Sequence, residues 1–326
     1  MSDNKTSETA QSWNTYWQGT GDVGAFAAGG VAHPDISAFW NGFFTSIARQ
    51  EHPVQLLDVA TGNGAILAVA LSILDADTTT MTCVDISPAA IENVERRFPS
   101  VKGIVADAMT IPLESAPFNL VTSQFGVEYA GLAAIGESAR MVSSGGQLVL
   151  MLHIVDGIVY KECQANRAAI EKLQAAKLVP LALDFFKAGF AAVRGVDRRA
   201  YDAAGLALAP AVQATEAIMT EYGEGVAGDT IARLYADVGR MHSNLPKYEP
   251  DEVLNWLGSM DGELQAYTER MSSMIDAAIS ATEFSKVCER LAASGFQLNR
   301  SEALLTKEQD GSLAWLLVAT RRHQAA

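Results

Sequence analysis

Basic side chains are scarce in this sequence: 24 lysines and arginines stand against 38 aspartates and glutamates, a net charge of −14. A surface of that sign repels phosphate backbones unless a local basic stripe overcomes it, and the one cluster, residues 194–199, holds only three arginines. Nucleic acid is therefore not expected as a partner. Cysteines are few as well. Cys83, Cys163 and Cys288 lie 80 and 125 residues apart, so neighbours in sequence cannot build a CxxC pair or a zinc knuckle, and reduced thiols with no metal site are expected. Also lacking is any run of 18 uninterrupted apolar residues. Segment 147–155 is too short and 178–193 is broken by Asp184 and Lys187, so no membrane span is expected. Residues 1–10 are polar and acidic, without the charged-then-apolar pattern of a secretion signal, which points to a cytoplasmic protein with a frayed start.

What is present is a chain of 326 residues, 49% of them hydrophobic, enough to bury a sizeable core without staples. From Val54 onward short β-branched or apolar runs alternate with helical patterns. Strands are expected at 54–60, 79–85, 101–106, 118–124 and 146–153, and helices near 65–74, 88–98 and 132–142. This alternation predicts an α/β fold: a doubly wound, mostly parallel, Rossmann-like sheet of seven strands. After His153 the pattern turns to Ala, Leu, Met and Glu, with breaks expected at Pro180, Gly189, Pro210, Gly225 and Pro246. A large helical insertion thus lies between the fifth strand and the last helix, which is expected at 283–293 and followed by 296–305 and 313–321. The predicted organisation is an N-terminal helical cap at 1–50, an α/β domain at 51–154 and 281–326, and an insertion at 155–280 forming a substrate lid.

Residues 56–64 read Leu-Leu-Asp-Val-Ala-Thr-Gly-Asn-Gly, a buried strand running into a small-residue turn and a helix, where α/β sheets bind nucleotide-like ligands. A nicotinamide fingerprint would need Gly or Ala three positions after Gly64, but Leu67 stands there. Asp85 closes the second strand, 21 residues after Gly64, where a carboxylate could accept hydrogen bonds from both ribose hydroxyls. The turn resembles motif I of the class I S-adenosylmethionine-dependent methyltransferases, and its wording is similar to that of the ubiquinone/menaquinone C-methyltransferase branch, with Ala60 in place of the usual first glycine. The resemblance covers about 54–153 and 283–321. It implies S-adenosylmethionine as cofactor, held by Asp58, Ala60, Gly62, Asn63, Gly64, Asp85, Ile86 against the adenine, Asp107 with Ala108 at the adenine amino group, and Gln124 in a motif IV-like fourth strand. Each aspartate taken alone could equally be a helix cap or a solvated loop charge. Tyr16 and Trp17, in the cluster Trp13-Asn-Thr-Tyr-Trp, are similar to segments that fold over the cofactor in this superfamily; a helix packing Trp13 and Trp17 onto the body is the other reading.

Methyl transfer from a sulfonium is an in-line displacement, so positioning the acceptor matters most, with a general base to take its proton. His153, ending the fifth strand, is the expected catalytic residue, with Asp156 to orient it and Glu128 and Tyr129 as lesser candidates; a packing histidine is the alternative. In the insertion, Met219, Met241, Met260, Met271 and Met274 with Phe185, Phe186, Phe190, Tyr201, Tyr222 and Trp256 could line a pocket or form helix core. The expected acceptor is a small, moderately apolar or aromatic molecule, with a homodimer as the assembly left open. A methyltransferase acting on RNA or protein would show a basic face or an Asn/Asp-Pro-Pro-aromatic tetrapeptide, whereas 124–127 read Gln-Phe-Gly-Val. A non-catalytic cofactor-binding protein is the alternative from a different class.

Overall fold

The computed structural model describes residues 13, 14, 17, 33–50, 52–114, 118–196, 198–307 and 311–323. They divide into two compact units, residues 1–161 with 273–326, and residues 162–272.

The first unit is built on one seven-stranded sheet of order β3-β2-β1-β4-β5-β7-β6: β1 Val54–Val59, β2 Thr79–Asp85, β3 Val101–Val105, β4 Phe118–Gln124, β5 Val142–Leu152, β6 Phe296–Leu305 and β7 Ser312–Arg321. β1 to β5 are parallel, and β7 enters antiparallel between β5 and β6. Five helices belong with it: α1 Pro34–Ala48, α2 Ala65–Ile73, α3 Pro88–Arg97, α4 Leu132–Arg140 and, later in the chain, α10 Ala281–Ala293. This is the doubly wound sheet expected from the alternation.

Period-two side chains explain why both faces are covered. Leu57, Val121, Leu148, Leu150 and Leu152 face one layer, where α4 contributes Ala134 and Ile135 and α10 contributes Phe284, Val287 and Leu291. Leu56, Leu120, Val149 and Met151 face the other, against Trp40 and Phe44 of α1, Leu67 and Ala70 of α2, and Ile91 and Val94 of α3. Buried runs with no polar alternation are what a sheet covered on both faces requires.

Several boundaries differ from the expectation for local reasons. β1 stops at Val59 because Ala60 turns to φ +53°. β5 begins at Val142, four residues early, because the chain pairs Phe118 with Val142 and then shifts register through a bulge, with Gly145 at φ +77°. α10 begins at Ala281 because Ser280 closes a capping box with Glu283.

The second unit is helical. The insertion's helices are α5 Ile158–Ala175, α6 Leu178–Val193, α7 Arg198–Tyr222, α8 Thr230–Ser243 and α9 Pro250–Ala277. Pro180, Gly189 and Pro210 do not break it, contrary to expectation. Pro180 is third in α6, within the first turn, where an N–H has no helical partner anyway. Gly189 lies inside α6, where a Cβ would come 2.8 Å from Leu245 and 2.9 Å from Tyr201, so it serves close packing. Pro210 is carried within α7, whose Leu208 and Ala211 are buried. The breaks fall instead at Lys177, Gly195 and Gly223, all with positive φ, and at Gly225 and Pro246 as expected. Phe185, Phe186, Phe190 and Met241 are buried in one apolar cluster, with Tyr201, Met219, Tyr222, Trp256 and Met260 partly buried against it, which makes them helix core. Among the described residues no helix is long and apolar enough to cross a membrane.

Candidate active site

The carboxyl ends of β1, β2 and β4 converge on the turn Ala60–Gly64. Three of its residues hold left-handed backbone: Ala60 at φ +53°, Gly62 at +54° and Gly64 at +75°. Glycine takes this region without cost, whereas Ala60 carries a strain of about 1 kcal/mol. A constraint on the neighbouring strand follows, because a Cβ at Gly126 would lie 2.7 Å from both the Cβ and the carbonyl oxygen of Ala60. Glycine at 126 lets the end of β4 pass the turn.

Two buried aspartates hold the turn. Asp58 lies beneath it, 1% exposed, with Oδ2 accepting the Thr61 hydroxyl at 2.7 Å and Oδ1 the Thr122 hydroxyl at 2.8 Å. Burial pushes its carboxyl up from 3.8 to about 7, against the pull of the two hydroxyls. Asp85 ends β2, and its Oδ2 accepts the Gly62 N–H at 2.8 Å while Oδ1 accepts the Ser87 N–H at 2.9 Å. Burial raises its pKa as well, and the amides of Ser87 and Gly62 lower it. The Ile86 amide lowers it too, so backbone N–H groups surround the carboxylate at the end of β2. Arg97 adds a clamp from α3, donating to the Asn63 carbonyl at 2.5 Å.

The Asp58 environment has a thermodynamic consequence. A carboxyl whose pKa is higher folded than unfolded keeps a proton that the unfolded chain has released, so it withdraws stability as pH rises from about 4 to about 7 and has no further effect above. Asp58→Asn removes this titration. Measured by urea unfolding, the stability of the variant relative to the parent is expected to rise between pH 5 and pH 7 by about 2 kcal/mol, against a ceiling of about 1.4 kcal/mol per pH unit. A difference that stays constant over that range contradicts the assignment.

The N-terminal aromatic cluster meets this turn. The Trp17 ring lies where a Cβ on Gly62 would come to 2.7 Å, and its carbonyl accepts from Asn93 Nδ2 at 2.8 Å. Asn14 Oδ1 accepts from the Ser87 hydroxyl and the Ala89 N–H, both at 3.1 Å, at the start of α3. Trp13 stacks on Trp17 and meets Tyr129 edge-on at 5.3 Å. Tyr16 lies outside the described residues.

The other expected contacts are distributed around the same edge. Ile86 is half-buried, Asp107 is half-buried with Oδ1 accepting the Met109 N–H at 2.8 Å, and Ala108 is buried. Gln124 gives its side-chain oxygen to the Trp40 indole N–H at 2.6 Å. His153 follows β5 and is 1% exposed. Its ring packs on Phe125 at 4.5 Å and on Tyr129 at 5.6 Å between centroids. The carboxylate at its Nδ1 is that of Glu128, 2.7 Å away, whereas the expected partner Asp156 is exposed. Trp17, Trp13, Tyr129, His153 and Phe125 thus form one continuous aromatic run from Gly62 to the end of β5.

Sequence reasoning missed Asn14, Thr61, Thr122 and Arg97. The threonines sit one turn and one strand from Asp58, and only the β1–β4 pairing of Asp58 with Thr122 brings the second within reach.

Residues 56–146 match the family model described as a methyltransferase domain. No curated protein matches the chain. Similar solved structures include the sugar N-methyltransferase KedS8 from Streptoalloteichus, 25% identical over 42% of this chain and 52% of its own, TM-score 0.30. Another is CalS10, an amino pentose methyltransferase from Micromonospora echinaspora solved with S-adenosylmethionine, 24% identical over 34% of this chain and 50% of its own, TM-score 0.28. A third is the geranyl diphosphate C-methyltransferase of Streptomyces coelicolor, 16% identical over 44% and 64%, TM-score 0.35. The match therefore spans less than two thirds of each of these proteins. Residues 56–146 of this chain, which carry β1 to β4 and the turn at the carboxyl edge of the sheet, are thus similar to a methyltransferase domain.

Proposed function

We propose that the protein transfers the methyl group of S-adenosylmethionine to a small, moderately apolar or aromatic acceptor. The observation that carries the reading is the Gly62 amide bonded to Asp85. It fixes the strand-end carboxylate against the left-handed turn, so that the ribose and the methionine chain are met by neighbouring groups. When bound, the cofactor supplies an electrophilic methyl on a sulfonium. Asp85 would hold the ribose, Ile86 and Ala108 the adenine face, Asp107 its amino group, and the Trp17 ring would cover the turn. Asp58 braces the turn from below through Thr61 and Thr122. The net charge of −14 and the aromatic run beside His153 favour a small acceptor over nucleic acid.

His153 is proposed as the base that takes the acceptor's proton. The test is S-adenosylhomocysteine release from S-adenosylmethionine with a panel of small phenols and amines, and with RNA in a parallel arm. His153→Ala is expected to slow single turnover by about 10²-fold while leaving cofactor affinity within about twofold. An unchanged rate with a lowered melting temperature would make His153 a packing residue. Salt-sensitive retention on RNA at physiological ionic strength would overturn the small-molecule reading.

A further inference from the structure

Glu128 meets His153 twice with one oxygen. Its Oε1 accepts the His153 backbone N–H at 2.8 Å and lies 2.7 Å from Nδ1, with the two side chains 0% and 1% exposed. Both backbones are tied down at the sheet edge. Glu128 belongs to the short 3₁₀ turn Val127–Ala130, whose first N–H donates to the Ser123 hydroxyl, and its own carbonyl accepts from Gly131. The His153 carbonyl accepts from the Ile279 N–H at 2.9 Å. The pair is therefore fixed by its supports rather than by chance rotamers.

An imidazole nitrogen can face a carboxylate oxygen favourably at this distance only by carrying a hydrogen, since two lone pairs would repel. Glu128 Oε2 has no hydrogen-bond partner among the described residues, so the carboxylate is offset mainly through the oxygen that faces the ring and its N–H. We infer that Glu128 is a positioning residue that holds His153 in its Nδ1–H tautomer, so that Nε2 is the atom that receives the acceptor's proton. This rests on the proposed methyl transfer with His153 as base. In that step the acceptor's O–H or N–H bond breaks and its proton passes to Nε2. The electron pair left on the acceptor forms the bond to the methyl carbon, and the pair of the carbon–sulfur bond returns to sulfur, leaving S-adenosylhomocysteine. The positive charge gained by the ring develops beside the Glu128 carboxylate, which stabilises it.

The tautomer can be read directly from long-range ¹⁵N–¹H correlation spectra of the histidine rings in the full chain, at a pH where they are neutral. The sequence has five histidines, and His153→Ala identifies the signals of interest by their disappearance. In the parent protein the His153 ring is expected to show a hydrogen-bearing Nδ1 and a bare Nε2. Glu128→Ala should abolish the Nδ1–H signature, and Glu128→Gln, whose amide oxygen can still accept, should restore at least part of it. A parent ring protonated at Nε2 instead, or an Nδ1–H signature unchanged in a folded Glu128→Ala, overturns the inference; if that variant does not fold, the parent tautomer decides. A parent protein that fails to bind S-adenosylmethionine would sink the methyl-transfer reading while leaving the tautomer result as it stands, so the two failures are distinguishable.

Discussion

Asp85→Ala is expected to weaken S-adenosylmethionine binding by about 10³-fold. Its carboxylate would take the ribose hydroxyls with the lone pairs that the Gly62, Ser87 and Ile86 amides leave unused. A hydrogen bond to a charged group is worth about 1.5–3 kcal/mol, so losing two removes about 4 kcal/mol, or about three decades of affinity. The same substitution strips the Gly62 amide of its acceptor and loosens the turn, which adds to the loss. Because the Asp85 side chain is buried, a drop in melting temperature accompanies it. Calorimetric titration of parent and variant, with circular dichroism to verify the fold, reads both. Unchanged affinity in a folded variant removes Asp85 from the site.

Gly62→Val should remove detectable binding altogether. The position holds φ +54°, which a β-branched side chain adopts only under strain, and its Cβ would stand 2.7 Å from the Trp17 ring. The new side chain also projects into the space through which a ligand must approach the backbone of the turn. The core strands β1, β2, β4 and β5 bury their side chains elsewhere, so the sheet should persist while the N-terminal aromatic contact is displaced. Loss of binding together with a changed Trp17 environment, followed by tryptophan fluorescence, is the expected pair of observations. Retained affinity in a folded variant would show that the turn does not approach the ligand.

How far the sequence announces this site depends on whether a feature is local. The turn 58–64, the carboxylate ending β2 and the helix begun by Ser87 and Pro88 are all written within a few consecutive residues, through strand periodicity, small residues and an N-cap. The features that escaped it join distant segments. Glu128 and His153 are 25 residues apart, and only the adjacency of β4 and β5 brings the turn after one against the end of the other. The same holds for Asn14 on the start of α3 and for Gln124 on Trp40, 73 and 84 residues away in sequence. Asp156 was the natural local partner for His153, yet its own φ of +64° marks a tight turn that leaves it exposed. Proline and glycine misled the reading of the insertion because their cost depends on position: Pro180 sits where no N–H is needed, and Gly189 where a side chain would not fit.

The central claim is that the turn Ala60–Gly64 and Asp85 form a site for S-adenosylmethionine and not for a nicotinamide dinucleotide, for which Leu67 stands in the place of the required small residue. Titrating the full chain with S-adenosylmethionine and, separately, with NAD tests this in one calorimetric experiment. The expected result is saturable binding of S-adenosylmethionine with a Kd in the micromolar range, about −8 kcal/mol, and no heat of binding with NAD. No binding of S-adenosylmethionine by the folded protein, or saturable binding of NAD, would contradict the account.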